Sequence, residues 1–165
     1  MKAHSAGEPV IRRSLSIEQW RQLGLQGDML PVTITLDGDS MRPLIRRGRD
    51  RVTILPATRD LHIGDVVLFR SAQGRYVVHR IWKIDGDRVR TLGDNCMNPD
   101  AWIPVESVWG QVVCFERAGR SWRLNTGLSR AWGRIWMATF PLRVLYKRGR
   151  KLAGKCYRRI FPRKV

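Results

Sequence analysis

Acidic residues stop at Glu116. The 165-residue chain holds 14 Asp and Glu, all between residues 1 and 116, where 16 Lys and Arg nearly balance them; from Arg117 onward there are 15 Lys and Arg and no acid. The formal net charge of +17 therefore belongs to the last third of the chain. Such asymmetry says nothing about the fold, but it points to an anionic partner for that end, phospholipid head groups or nucleic acid.

Cysteine is scarce. Cys96, Cys114 and Cys156 are an odd number without paired spacing, which excludes a disulfide framework and a zinc ribbon, so neither a metal nor a cofactor is expected and a reducing compartment fits. Long apolar runs are lacking too. No stretch reaches the ~18 residues of a membrane span, and residues 1–13 lack the apolar run of a secretory signal. The expectation is a cytoplasmic or peripherally membrane-associated protein. Nucleic-acid signatures are missing: no RNP, KH or zinc pattern occurs, and one short helix is too little for a helix-turn-helix, which argues against nucleic acid as partner. With three histidines, the chain also has few candidates for a general base.

What is present reads as three segments. Residues 1–30 hold a polar start and one short helix, capped by Ser14 or Ser16, with Ile17, Trp20 and Leu23 at helical spacing before Gly24 stops it. Residues 31–126 read as strand after strand: Val32 to Leu36, Arg51 to Leu55, Asp65 to Phe69, Tyr76 to Ile84, Arg88 to Leu92, Val108 to Glu116 and Trp122 to Leu124, with Asp85-Gly86 as a hairpin signal. Residues 127–165 change period from two to 3.6. Leu128, Trp132, Ile135, Trp136, Thr139 and Phe140 share one face, and after Pro141 the stripe Leu145, Leu152, Cys156, Ile160 is flanked by Lys and Arg. The first stripe fits burial or exposure equally well; the second, densely basic, fits an anionic membrane surface, giving residues 128–160 as the membrane element. The fold class expected is mainly β, an antiparallel core with a short N-terminal helix and a basic amphipathic helical tail.

The stretch Gly38-Asp39-Ser40-Met41-Arg42-Pro43 follows a strand and ends in proline, a loop able to hold a hydroxyl still. Ser40 either bonds its own turn or acts as a nucleophile, and the second role needs a base and an orienting group. His4 lies in the polar start and His62 in a loop; His79 lies inside the apolar strand Tyr76-Val77-Val78-His79-Arg80-Ile81, where an imidazole must find a partner. Lys83 is an alternative base on that strand. At ~3.3 Å per residue the two are too far apart to share one serine. Asp94 and Asp100, in the loop after the hairpin, are the candidate orienting acids.

Taken in order, Gly38-Asp39-Ser40-Met41-Arg42-Pro43, Ile63-Gly64-Asp65-Val66-Val67-Leu68-Phe69, Val77-Val78-His79-Arg80-Ile81, Leu92-Gly93-Asp94-Asn95 with Asp100, and Val105-Glu106-Ser107-Val108-Trp109-Gly110-Gln111-Val112-Val113 resemble the catalytic domain of type I signal peptidases and the related self-cleaving repressor peptidases, the S24/S26 serine peptidases. The resemblance spans residues 32 to 114. It implies a signal-peptidase-like β core, a serine endopeptidase acting on a protein or peptide precursor after small side chains, and, with histidine at the base position, the Ser/His/Asp arrangement of the endoplasmic-reticulum and archaeal branch.

The implied roles are Ser40 as nucleophile, His79 as base and Asp100 as its support, with Asp94 replacing or assisting Asp100. The Ser40 N–H serves the oxyanion. The family often has a second donor, a serine two residues earlier, where this chain has Gly38. Met41 and Pro43, flanking the turn, are expected to contact substrate. A membrane-spanning helix beside the domain, usual in signal peptidases, is not evident. Two alternatives carry different functions: an inactive peptidase-like module working through its basic tail on membranes or nucleic acid, and a self-cleaving regulator.

Overall fold

The computed structural model describes residues 17–27, 30–58 and 60–160, of which 151–160 by backbone alone. The first helix, α1 (Ile17–Leu25), buries Trp20 at 3% exposure and ties its indole N–H to the Leu30 carbonyl. Gly24, expected to stop it, lies inside the helix instead. A Cβ there would meet Pro56 at 2.8 Å, so the glycine lets the helix lie close on the sheet. Ser14 and Ser16, the expected caps, and His4 lie outside the described residues.

Among the described residues eight antiparallel strands follow: β1 (Val32–Thr35), β2 (Arg51–Pro56), β3 (Val66–Arg70), β4 (Tyr76–Asp85), β5 (Arg88–Leu92), β6 (Trp102–Pro104), β7 (Val108–Arg117) and β8 (Arg120–Arg123). Their order is β1-β2-β7-β3-β4-β5-β6, with β8 beside the far half of β7. The hairpin signal is real, with Gly86 at φ +55° and Asp85 paired with Arg88 across a two-residue turn. The three-residue β6 was not foreseen; its only apolar inward residue is Ile103.

Val66 to Phe69 in β3 are buried on both faces. Val66 and Leu68 join Trp20, Met41, Ile45, Val52, Ile54 and Val112 in the larger core, while Val67 and Phe69 join Ile81, Val89, Ile103 and Val108 in the smaller. The run of apolar residues in β3 thus reflects a strand between two cores, where alternation has no solvent side to mark.

Two C-terminal helices fold back on this sheet. Asn125, at φ +55°, accepts the Val66 N–H and donates to the Val66 carbonyl, and Thr126 caps α2 (Gly127–Ala138) in a reciprocal box with Ser129. After Thr139 the chain turns into α3 (Phe140–Ile160), with Pro141 in the first turn, where its missing N–H costs nothing. The inner face of α2 is Gly133 and Met137, with Arg130 paired to the fully buried Asp65. Leu128, Trp132 and Ile135 stay outside, at 88%, 58% and 59% exposure. Among the described residues no helix is long and apolar enough to cross a membrane.

Candidate active site

The turn that holds Ser40 is braced from below. Met41, at 1% exposure, is a core residue, and the Ile45 N–H donates to its carbonyl. Further along, Asp50 is fully buried, accepts the Arg46 N–H at 2.8 Å and pairs with Arg117, whose guanidinium also reaches the Leu44 carbonyl. The substrate contact expected of Met41 is therefore corrected: its side chain fills the core beneath the turn. Pro43 is exposed, follows a cis peptide bond and lies outside the lining of the cleft beside Ser40.

That cleft, about 490 Å³, is lined by Ile34 to Gly38, Ser40, Tyr76 to His79 and Asp100. Two unpaired strand edges border it. Among the described residues β1 ends the sheet, and β4 pairs with β5 only from Arg80 onward, leaving the outer edge of Tyr76 to His79 free. Leu68 lies at its floor.

His79 and Asp100 form the central pair. Nδ1 of His79 lies 2.6 Å from Asp100 Oδ2, and the same oxygen accepts the Thr91 hydroxyl at 2.6 Å. Backbone bonds fix the aspartate: its N–H donates to the Thr91 carbonyl, and its own carbonyl accepts Arg90 Nε at 2.8 Å. Burial disfavours a charged imidazole here, but the Asp100 bond and the Cys96 thiol outweigh it and push the His79 pKa up from 6.5 to about 9. For Asp100, burial raises the pKa while the bonds from His79 and Thr91 lower it, and the balance holds the carboxyl below its ordinary range. Since the folded-state value of His79 lies above the unfolded one, its proton stabilises the fold fully below pH 6.5, and that contribution is lost as pH rises through about 9.

Asp94 does not assist Asp100. Both its oxygens are held at 3.0 Å by Nε and Nη2 of Arg80, each side chain being 2% exposed, and Arg80 Nη1 donates to the Gly64 carbonyl at 2.7 Å. Adjacent strand residues point to opposite faces, so His79 and Arg80 each take one of the two aspartates. The expected second carboxylate is a structural partner of Arg80.

The loop 93–96 joins the pieces. Asn95 donates its backbone N–H to the Ser40 carbonyl at 2.7 Å and its side-chain amide to the Asp39 carbonyl at 3.2 Å. A Cβ on Gly93 would lie 2.6 Å from Cys96 Sγ, 2.8 Å from His79 Nε2 and 2.9 Å from the Ser40 carbonyl, so only hydrogen fits where thiol, imidazole and serine backbone converge. No hydrogen bond joins Ser40 Oγ to the ring among the described residues; such contacts commonly tighten only with substrate bound. Lys83 is exposed, its ammonium over the Trp82 ring, because a bulge between Ile81 and Lys83 re-aims the strand. His62, beside Asp60 and Asp65, lies outside the cleft.

Sequence reasoning gave no role to Thr91, Asn95 or Cys96, and their types alone carry no signal; Gly93, opening a loop directly after a strand, carried one. Gly38 lines the cleft, and a Cβ placed on it would have only Ser40 Oγ near it, at 4.0 Å. Space therefore exists there for a side-chain hydroxyl, and on the peptidase reading expected from the sequence Gly38→Ser, by adding an oxyanion donor, raises kcat by about tenfold or more with KM little changed. Unchanged or lower kcat in the variant would show that a backbone donor already fills that place. No protein-family model matches the chain, and no curated protein matches it.

Proposed function

We propose that the protein is a serine endopeptidase, resembling type I signal peptidases, that cleaves a protein or peptide precursor. The observation that carries this reading is the 2.6 Å bond between His79 and Asp100 at the wall of a cleft that Ser40 also lines. In it Ser40 Oγ attacks the amide carbon and His79 Nε2 accepts its proton, returning it to the leaving amine. Asp100, on Nδ1, keeps the tautomer that leaves Nε2 free as acceptor and stabilises the imidazolium as it forms. The Ser40 N–H faces the developing oxyanion.

The free edges of β1 and of Tyr76 to His79 suit an extended peptide, which adds to a sheet through main-chain bonds and so needs little side-chain specificity along its length. Small residues before the cleaved bond are what the resemblance adds.

The test is proteome-derived peptide digestion, read as new N-termini by mass spectrometry, with Ser40→Ala as the blank. Cleavage confined to the parent protein supports the reading, and identical patterns from both proteins overturn it. Because His79 acts neutral and its pKa stands at about 9, kcat/KM is expected to rise with pH to an inflection near that value. Cys96→Ala, which removes one influence holding the imidazole charged, moves the inflection to lower pH.

A further inference from the structure

Among the described residues, the C-terminal helices face the sheet and the loop beside Ser40 with one side. On α2 the inner face is spent on the sheet: Gly133 packs against Arg80 and the Gly64 carbonyl, at a point where a Cβ would sit 2.7 Å from Arg80 Nη1, and Arg130 is bonded to Asp65. On α3 the inner residues Arg143 and Lys147 reach the loop beside Ser40, Arg143 Nη1 donating to the Asp94 carbonyl at 2.5 Å and Lys147 Nζ to Asn95 Oδ1 at 2.7 Å. Six large apolar side chains are left outside, Leu128, Trp132 and Ile135 on α2 and Leu142, Leu145 and Tyr146 on α3, each more than half exposed. Six large apolar side chains on two consecutive helices exceed what the surface of a self-contained domain usually leaves scattered.

We propose that this outer face docks on an anionic phospholipid bilayer, lying in the interface with the apolar side chains at the acyl boundary. Charge complementarity selects the occupant. The chain from Arg117 to its end carries 15 Lys and Arg without one acid; Arg117, Arg130, Arg143 and Lys147 are bonded within the fold, whereas Arg134, Arg148 and Arg150 stand exposed beside the apolar positions. Nucleic acid would use the same charges but gains nothing from leucine and isoleucine at the centre of the face, whereas an amphipathic helix at a lipid surface needs both. Docking here holds the cleft at the bilayer surface, because α3 grips the loop that contacts Ser40. The consequence for substrate, a precursor presented at the membrane, rests on the peptidase reading; the docking itself does not.

The experiment is sedimentation of the full-length protein with vesicles of phosphatidylcholine alone or mixed equally with phosphatidylglycerol, with duplex DNA as competitor. Expected are binding to the anionic vesicles only, weakening as salt is raised, and a loss of about tenfold or more in the combined variant Trp132→Ser, Ile135→Ser, Leu142→Ser, Leu145→Ser, whose sites are exposed and, although Trp132 gives up its stacking on Trp136, whose fold is expected intact. The variant's circular dichroism and melting temperature, unchanged, confirm that last point. Equal binding by variant and parent overturns the proposal, as does preference for DNA over anionic vesicles, or a dimer of the parent that the variant abolishes while vesicles go unbound. Each readout is independent of proteolysis, so failure of docking and failure of the peptidase assignment are separate results.

Discussion

Ser40→Ala and His79→Ala are each expected to lower cleavage by about 10⁴-fold or more, and the double variant to be no worse than either alone. The non-additivity follows from the mechanism: a hydroxyl without its base is as inert as a base without its hydroxyl, so removing the second member of the unit removes nothing further. Additive losses would mean that Ser40 and His79 act in different steps. The two substitutions differ in what they do to the fold. Ser40 Oγ holds no hydrogen bond among the described residues, so alanine should change stability by no more than about 0.5 kcal/mol. His79, 6% exposed against the Phe69 ring, leaves a gap and takes from Asp100 its imidazole partner. His79→Gln, which fills that space without serving as a base, should match His79→Ala in activity while melting higher.

Asp100→Asn and Asp94→Asn should separate cleanly, although the two aspartates stand six residues apart in one loop. At position 100 the amide replaces the acceptor for Nδ1–H with a donor on one side, turns the ring to the wrong tautomer, and lowers kcat by about 10³- to 10⁴-fold. The alkaline inflection also moves to lower pH, because the bond that holds the His79 proton is gone. Stability falls as well at pH values below about 9, where the pair with the charged His79 contributes to it, but by less than at position 94, since the Asp100 side chain is 31% exposed and Thr91 keeps an oxygen to donate to. At position 94 the outcome reverses. Removing one charge from a pair that is 2% exposed on both sides leaves Arg80 buried without its counter-ion, a cost of about 3 kcal/mol or more and a fall in melting temperature on the order of 10 °C. The check is kcat and thermal melting on both variants; a catalytic loss confined to Asp94→Asn would reverse the assignment of the two acids.

Most strands were legible because β1, β2 and β7 alternate or lie between glycine and proline punctuation, and the change of period at Gly127 marked the helices. The pairing of acids was not. Asp94 and Asp100 are chemically identical in sequence, and what sorts them is strand parity: His79 and Arg80 are adjacent in β4 and point to opposite faces, and each carboxylate follows its partner. A bury-or-expose choice for α2 was equally hidden, since an apolar stripe does not reveal that the sheet prefers the small Gly133 against Arg80. Met41 illustrates the reverse error. Being next to a candidate nucleophile suggested contact with substrate, yet successive residues in the turn face different ways and the methionine fills the core.

The bonds from Arg143 and Lys147 to loop 93–96 decide how the chain can be taken apart. A cut at residue 126, the obvious place to separate core from helices, would strip Gly133 off the Arg80–Asp94 pair, free Asp65 from Arg130 and release the loop whose Asn95 contacts Ser40. A truncated protein that neither cleaves nor binds lipid would thus report a damaged core. Point substitutions on the outward side of α3, three or four residues from the inward ones, are the only way to question each surface of that helix without silencing the other.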